Sequence, residues 1–227
     1  MAILSNTHIQ IYTMQSVDEA LAVAAQGVHQ VGVTPSDRGL PGEIDVGMAA
    51  EICRSLTGVA TSVALSVETD LAAIETMVNE VRPDIVHLCA PEGTVAPNDV
   101  DRLRQRIAGT QLMQAIAVTG SEAVKIAESF APHVDYLILD SVDPNIAGIG
   151  AAGKVHDWTV SRAIVDAVGI PVILAGGLSP ENVAAAIAAV RPWGVDSLTH
   201  TNRQLPSGGF RKDLGRVKQF VVEAGGA

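Results

Sequence analysis

The sequence predicts an α/β fold, a single-domain (β/α)8 TIM barrel over residues 1–227. Short apolar runs alternate with amphipathic or alanine-rich stretches along the whole chain. The repeat is even, at roughly 25 to 30 residues, the usual size of a βα unit. No break in composition, Pro/Ser-rich linker or low-complexity tract divides the chain. An open doubly wound sheet is the competing architecture. It would normally show fewer strands and a glycine-rich first turn, whereas the first apolar run here passes into Thr13-Met14-Gln15.

Taken in order, the first strand is expected at His8–Tyr12, with a helix starting near Ser16. Gln30–Val33 follows, then the loop Thr34–Gly42 and a helix near Asp45. The third and fourth units pair Val59–Ser66 with a helix near Asp70, and Ile85–Leu88 with one near Asn98. Gln111–Ala117 leads to a helix near Ser121, and Tyr136–Asp140 leads through a long loop to one near Trp158. Pro171–Ala175 precedes a helix opened by Ser179-Pro180-Glu181, and Gly194–Leu198 precedes a last helix near Asp213. Ser, Asp or Asn stands at most of these starts, where its side chain can accept an otherwise free first-turn amide.

Composition narrows the function. The chain carries a net charge of −10 with only 15 Lys and Arg, which argues against a nucleic-acid surface. No apolar run approaches the ~18 residues of a membrane span, and residues 1–15 lack the basic start and cleavage site of a secretory signal. Cys53 and Cys89 have no metal-ligand or CxxC spacing, so the expectation is a cytoplasmic protein without structural disulfide or zinc.

A barrel puts its chemistry at the C-terminal ends of the strands and in the loops that follow. Asp140 closes the sixth strand, where partial desolvation suits a carboxyl to general acid or base work. By period-two alternation His87 and Cys89 share a face of the fourth strand, as Gln10 and Tyr12 share one on the first. Gln114, Asp196 and His200 also fall near strand ends. Gly176 and Gly177, beside a helix start, form a turn suited to an anion such as phosphate. Gly148-Ile149-Gly150 and Gly153-Lys154 place a lid or ligand clamp in the loop Ser141–Asp157, with Lys154 able to meet a substrate anion. Arg38, on the second βα loop, can grip a carboxylate. Each has a plainer alternative, a loop cap for Asp140, a solvated Lys154 and a surface turn for Arg38.

Other chemistries fit less well. His87, Asp140, Asp196 and His200 lack HxH or HExxH spacing, so no metal is expected. None of Lys125, Lys154, Lys212 and Lys218 falls on an expected strand, which disfavours a Schiff base, and there is no GxSxG elbow.

From Asp135 to the end the chain resembles the phosphoribosylanthranilate isomerase family, with weaker similarity before it. The likeness rests on Tyr136-Leu-Ile-Leu-Asp140-Ser, Gly148-Ile-Gly150, Gly153-Lys-Val-His-Asp157-Trp158 and Leu174-Ala-Gly-Gly-Leu-Ser-Pro-Glu-Asn-Val183. It continues through Val190-Arg191-Pro192, Val195-Asp196 and Lys212-Asp213. The resemblance implies an aldose-to-ketose Amadori rearrangement of a phosphorylated sugar derivative, with no cofactor, in a monomer or homodimer. It implies Asp140 as general acid, Gly176-Gly177 and Thr199 at the phosphate, and Arg38 at a substrate carboxylate. Gly150, Lys154, Gln114, Cys89, Asp196 and His200 are further candidate substrate contacts by their place at strand ends and in the loops.

Departures fall in the site. The family's first-strand motif carries a general-base cysteine, and here Gln10-Ile11-Tyr12-Thr13 puts Tyr12 in its place. A phenol titrating near pH ~10 is a poor base at neutrality, so Tyr12, His87 or Cys89 must supply the second group. His87, with an ordinary pKa near ~6.5, is the natural choice. His200 stands where the family has a phosphate-wrapping glycine. An altered substrate is the leading expectation. A genuine phosphoribosylanthranilate isomerase of tryptophan biosynthesis and a non-catalytic phosphometabolite-binding protein are the alternatives.

Overall fold

The structure, a computed structural model, describes residues 7–143, 148–150 and 153–225. The start of the N-terminal segment (residues 1–6) and parts of the Ser141–Asp157 loop (144–147 and 151–152) lie outside them.

Eight parallel strands close into a barrel in sequence order. They are β1 His8–Ile11, β2 Gln30–Val33, β3 Thr61–Ser66, β4 Ile85–Leu88, β5 Gln111–Ala117, β6 Tyr136–Asp140, β7 Val172–Leu174 and β8 Gly194–Ser197. Closure is made by β1 on β8, in register from His8 opposite Gly194 to Ile11 opposite Ser197. The helices between them are α1 Val17–Ala24, α2 Val46–Ser55, α3 Leu71–Val81, α4 Pro97–Arg106, α5 Glu122–Phe130, α6 Trp158–Ala167 and α7 Val183–Val190, with α8 Leu214–Gly225 last. Among the described residues no helix is long and apolar enough to cross a membrane.

The expected caps hold at four starts. Ser16 Oγ accepts from Glu19 N–H, Asp45 from Met48, Asp70 from Ala72, and Asp213 from Gly215 and Arg216. Asp157 does the same for α6, accepting from Thr159 N–H. Asn98 is not a cap. Pro97 begins α4, whose first turn is held by Asp99 accepting from Ala96 N–H. Helix α7 starts three residues later than the sequence suggested. Ser179 to Asn182 form a turn in which Asn182 accepts from Ser179 N–H and donates to the Gly177 carbonyl.

Alternation along the strands makes two apolar layers. Ile9, Ile11, Val31, Leu112, Ile116, Leu137 and Leu139 point outward against helix residues such as Ile52, Ile74, Leu103 and Phe220. Val63, Ile85, Met113, Ile138 and Ile173 fill the barrel, with Tyr12 and Cys89 above them toward the mouth. Each fully buried side chain of this kind contributes about 1.5–3 kcal/mol.

One element was not expected. After β8 a 3-10 turn, Thr199–Thr201, leads into a hairpin of β9 Asn202–Gln204 and β10 Phe210–Lys212. Its strands are polar and three residues long, so no hydrophobic period announces them. Lys212 therefore does lie on a strand, outside the barrel, and it is buried.

Candidate active site

A cavity of about 60 Å³ opens at the C-terminal ends of the strands. Its polar lining comes from Tyr12 and Thr34 of the first two units, His87 and Cys89 at the end of β4, Asp140 of β6 and Asp196 of β8. Leu40 and Pro41 from the loop after β2, and Ile149 and Gly150 from the loop after β6, close it above.

Asp140 sits where β6 ends, and Ser141 N–H donates to its Oδ1 at 2.7 Å. Burial nonetheless raises its carboxyl to about 7, because these hydrogen bonds offset only part of the desolvation. Gly150 makes this close packing possible. With φ +110° it approaches so near that a Cβ there would lie 2.8 Å from Asp140 Oδ2. Asp196 is also raised to about 7, first by burial and then by the Asp140 charge, against a hydrogen bond from Gln10 Nε2 at 3.1 Å. Two carboxyl groups in one buried site thus hold their protons close to neutrality.

Across the mouth, Tyr12 Oη lies 3.1 Å from His87 Nδ1, and His87 Nε2 lies 3.0 Å from Cys89 Sγ. Burial raises the Tyr12 phenol and lowers the His87 imidazole to about 3. The Cys89 thiol is raised by burial and then by Asp140 and Asp196. All three are uncharged at neutral pH. The expectation that His87 titrates near its ordinary value is thereby corrected: both ring nitrogens are engaged and water does not solvate the cation.

A second cavity, about 20 Å³, adjoins the first, and Asp140 and Asp196 line both. Gly153, Gly176, Gly177, Leu178 and Ser197 through His200 form the rest of its wall. Gly176 and Gly177 adopt φ +79° and +65°, and the following loop packs on them. A Cβ on Gly176 would meet His156 Nδ1 at 2.7 Å, and one on Gly177 would meet the 154–155 peptide at 2.7 Å. Thr199 lies against Gly153, and His200 Nε2 is 3.3 Å from the Gly153 carbonyl. His200 therefore fastens the loop after β6 over the glycine turn.

Three expected contacts are elsewhere. Arg38 is paired with Glu68 at 2.7 Å on the rim and does not line either cavity. Lys154 reaches Asp143 at 3.2 Å and is largely exposed. Gln114 points outward from β5, between the barrel and Ile126 and Phe130 of α5, since Met113, Ala115 and Ala117 take the inward positions. Two residues were missed as site supports. Gly32 makes room for the Tyr12 ring, and Lys212 Nζ ties the turn after β8 through the Leu198 carbonyl, Thr201 Oγ1 and Asn202 Oδ1. Burial lowers Lys212 to about 7. Its place in the Lys212-Asp213 motif was the available signal. No described lysine lines either cavity, and no described cluster of three or more His, Cys, Asp or Glu is placed to hold a metal ion.

Residues 9–221 match the family model for N-(5'-phosphoribosyl)anthranilate isomerase. The chain belongs to this family. It is 32% identical over 221 residues to the N-(5'-phosphoribosyl)anthranilate isomerase of Haloarcula marismortui, covering 96% of each chain. It is 33% identical to that of Haloferax volcanii, covering 96% of this chain and 93% of the relative. The phosphoribosylanthranilate isomerase structure from Thermotoga maritima superposes with a TM-score of 0.78 at 24% identity, over 97% of this chain and 100% of the other. A related structure holds reduced 1-(o-carboxyphenylamino)-1-deoxyribulose 5-phosphate, with a TM-score of 0.76 at 22% identity, over 97% of this chain and all of that one. At these identities the structures speak to the fold, and the relatives to the family. This chain has an aspartate at the end of β6, a Gly-Gly turn after β7 and a tyrosine directly after β1.

Proposed function

We propose that the protein is an isomerase that converts a phosphorylated aminoaldose to an aminoketose by an Amadori rearrangement. One observation carries the reading. Asp140, a carboxyl raised to about 7, lines both the cavity holding Tyr12, His87 and Cys89 and the adjoining glycine-walled one. A phosphate seated by Gly176, Gly177 and Thr199 would bring the sugar ring against that acid.

Asp140 gives its proton to the furanose ring oxygen while the nitrogen lone pair forms the C1=N bond and the C1–O bond breaks. Loss of the C2 proton then returns the iminium pair to nitrogen and forms C1=C2. The enaminol tautomerises, losing its O2 proton and gaining one at C1, to give the ketone. The sequence is balanced within the substrate, so no redox cofactor enters it. Asp140 is suited to the first step because its pKa lies near the working pH.

The placement of Arg38 supports an altered substrate. Its guanidinium is paired with Glu68 on the rim, and no cation among the described residues lines the cavity to meet a substrate carboxylate. Identity of 32–33% to proteins named for the parent isomerase favours the second reading, phosphoribosylanthranilate itself in tryptophan biosynthesis. We place the reaction in the cytoplasm, with both thiols free, in a monomer or homodimer. The test is turnover by purified protein of N-(5'-phosphoribosyl)anthranilate and of phosphoribosylamines with other N-substituents. Conversion of any of them supports the reading, and conversion of the first alone supports the parent reaction. Failure with all of them removes the enzymatic assignment and leaves a ligand-binding barrel.

A further inference from the structure

We propose that Cys89, backed by His87, is the base that takes the C2 proton, so that the basic group of this barrel stands on β4 and not on β1. The inference rests on the isomerase reading above and identifies a group that reading leaves open.

Geometry singles out Cys89. It follows His87 by two residues on the same inward face of β4, one step nearer the mouth, and both line the cavity into which Asp140 projects. The 3.0 Å separation of Sγ and Nε2 makes a thiol–imidazole dyad, and Tyr12 Oη at 3.1 Å holds the far nitrogen. A base oriented by a second group, itself oriented by a third, is the arrangement that activates a weak proton acceptor. Tyr12 is a positioning residue here: its ring lies on Gly32, its phenol is raised by burial, and its hydroxyl is spent on His87.

Electrostatics decides how the proton travels. Asp140 and Asp196 both oppose a thiolate at Cys89, and Asp140 becomes an anion as soon as it has protonated the ring oxygen. A standing thiolate is therefore unfavourable, and the proton must be handed on. In the tautomer with hydrogen on Nδ1, Nδ1–H donates to Tyr12 Oη and Nε2 accepts from the Cys89 thiol. The C2 proton passes to Sγ as the thiol proton passes to Nε2. The C2–H pair forms C1=C2, sulfur stays neutral, and the product is an imidazolium, which burial disfavours in the resting site and which only an opposing carboxylate can offset. Across the cavity stands the carboxylate that Asp140 has just become. The charge separated in the first step is matched by the opposite charge created in the second.

The experiment compares wild type with Cys89→Ala, Cys89→Ser, His87→Gln and Asp140→Asn, on protonated and C2-deuterated substrate. Affinity for a reduced, unreactive aminodeoxyribitol phosphate is measured alongside. Cys89→Ala and His87→Gln should lower kcat by about 100-fold or more, the usual weight of a general base. KM and analogue affinity should stay within about threefold, and the deuterium effect should rise as C–H cleavage becomes limiting. Cys89→Ser, close to isosteric, carries the test if the alanine variant does not fold. Wild-type turnover that Asp140→Asn abolishes and both Cys89 variants retain within about threefold would overturn the dyad and leave the function standing. A wild type with no turnover overturns the function and the dyad with it.

Discussion

The Tyr12 ring lies on the backbone of Gly32, so close that a Cβ built on Gly32 would stand 2.3 Å from two ring carbons. The aromatic side chain at the end of β1 thus occupies the space that any larger residue on β2 would need. Gly32→Ala should destabilise the protein by about 1–3 kcal/mol, the usual cost of overpacking. In a Tyr12→Ala background the same change should cost much less. Chemical denaturation of the four proteins gives the coupling energy, and additive effects would show that ring and glycine do not compete for space.

Stability should depend on pH through Asp140 and Asp196. Both are raised from the ordinary aspartate value to about 7 in the folded state, so between about pH 4 and 7 the native protein binds more protons than the unfolded chain. Their contribution to stability is full below the unfolded pKa and is lost as pH rises through the folded one. Tm should therefore fall between pH 4 and 8 by more in wild type than in Asp140→Asn or Asp196→Asn. Equal slopes in all three would show that the two carboxyls are not raised in the folded protein.

Gly177→Ala should weaken both fold and ligand affinity. The residue has φ +65°, and a Cβ would strike the 154–155 peptide at 2.7 Å, where backbone has to move. A stability loss of more than about 1 kcal/mol is expected, with weaker binding of a sugar phosphate by calorimetry. Unchanged binding would place the phosphate elsewhere.

Arg38→Ala should change stability by less than about 1 kcal/mol, since its partner Glu68 shares an exposed rim. On the altered-substrate reading KM should shift by no more than about threefold. A rise of tenfold or more would show that Arg38 leaves Glu68 for a substrate carboxylate, and would restore the parent substrate.

Much of this was legible in the chain. Most barrel strands are short, largely apolar runs, and most helices begin at a Ser or Asp that the structure shows capping them, as Asp45 caps α2 by accepting from Met48 N–H. Asp140 could be placed in the mouth because alternation from Ile138 fixes its face. Gln114 could not, since its position within β5 is one residue out of phase with the inward set, and strand register decides such cases. Arg38 and Lys154 are long side chains on loops, and their ion pairs depend on Glu68 and Asp143, which no local pattern links to them. The lowered His87 pKa was hidden for a related reason, because burial is a property of the closed barrel and not of the Val86-His87-Leu88 segment.

The most direct measurement of the central claim follows C1 of aryl- and alkyl-substituted phosphoribosylamines by NMR, with wild type and Asp140→Asn at pH 7. Wild type should turn the anomeric C1–H of at least one of them into a methylene, and Asp140→Asn should do so at least about 100-fold more slowly. Conversion at equal rates by the two proteins, or by neither, would contradict it.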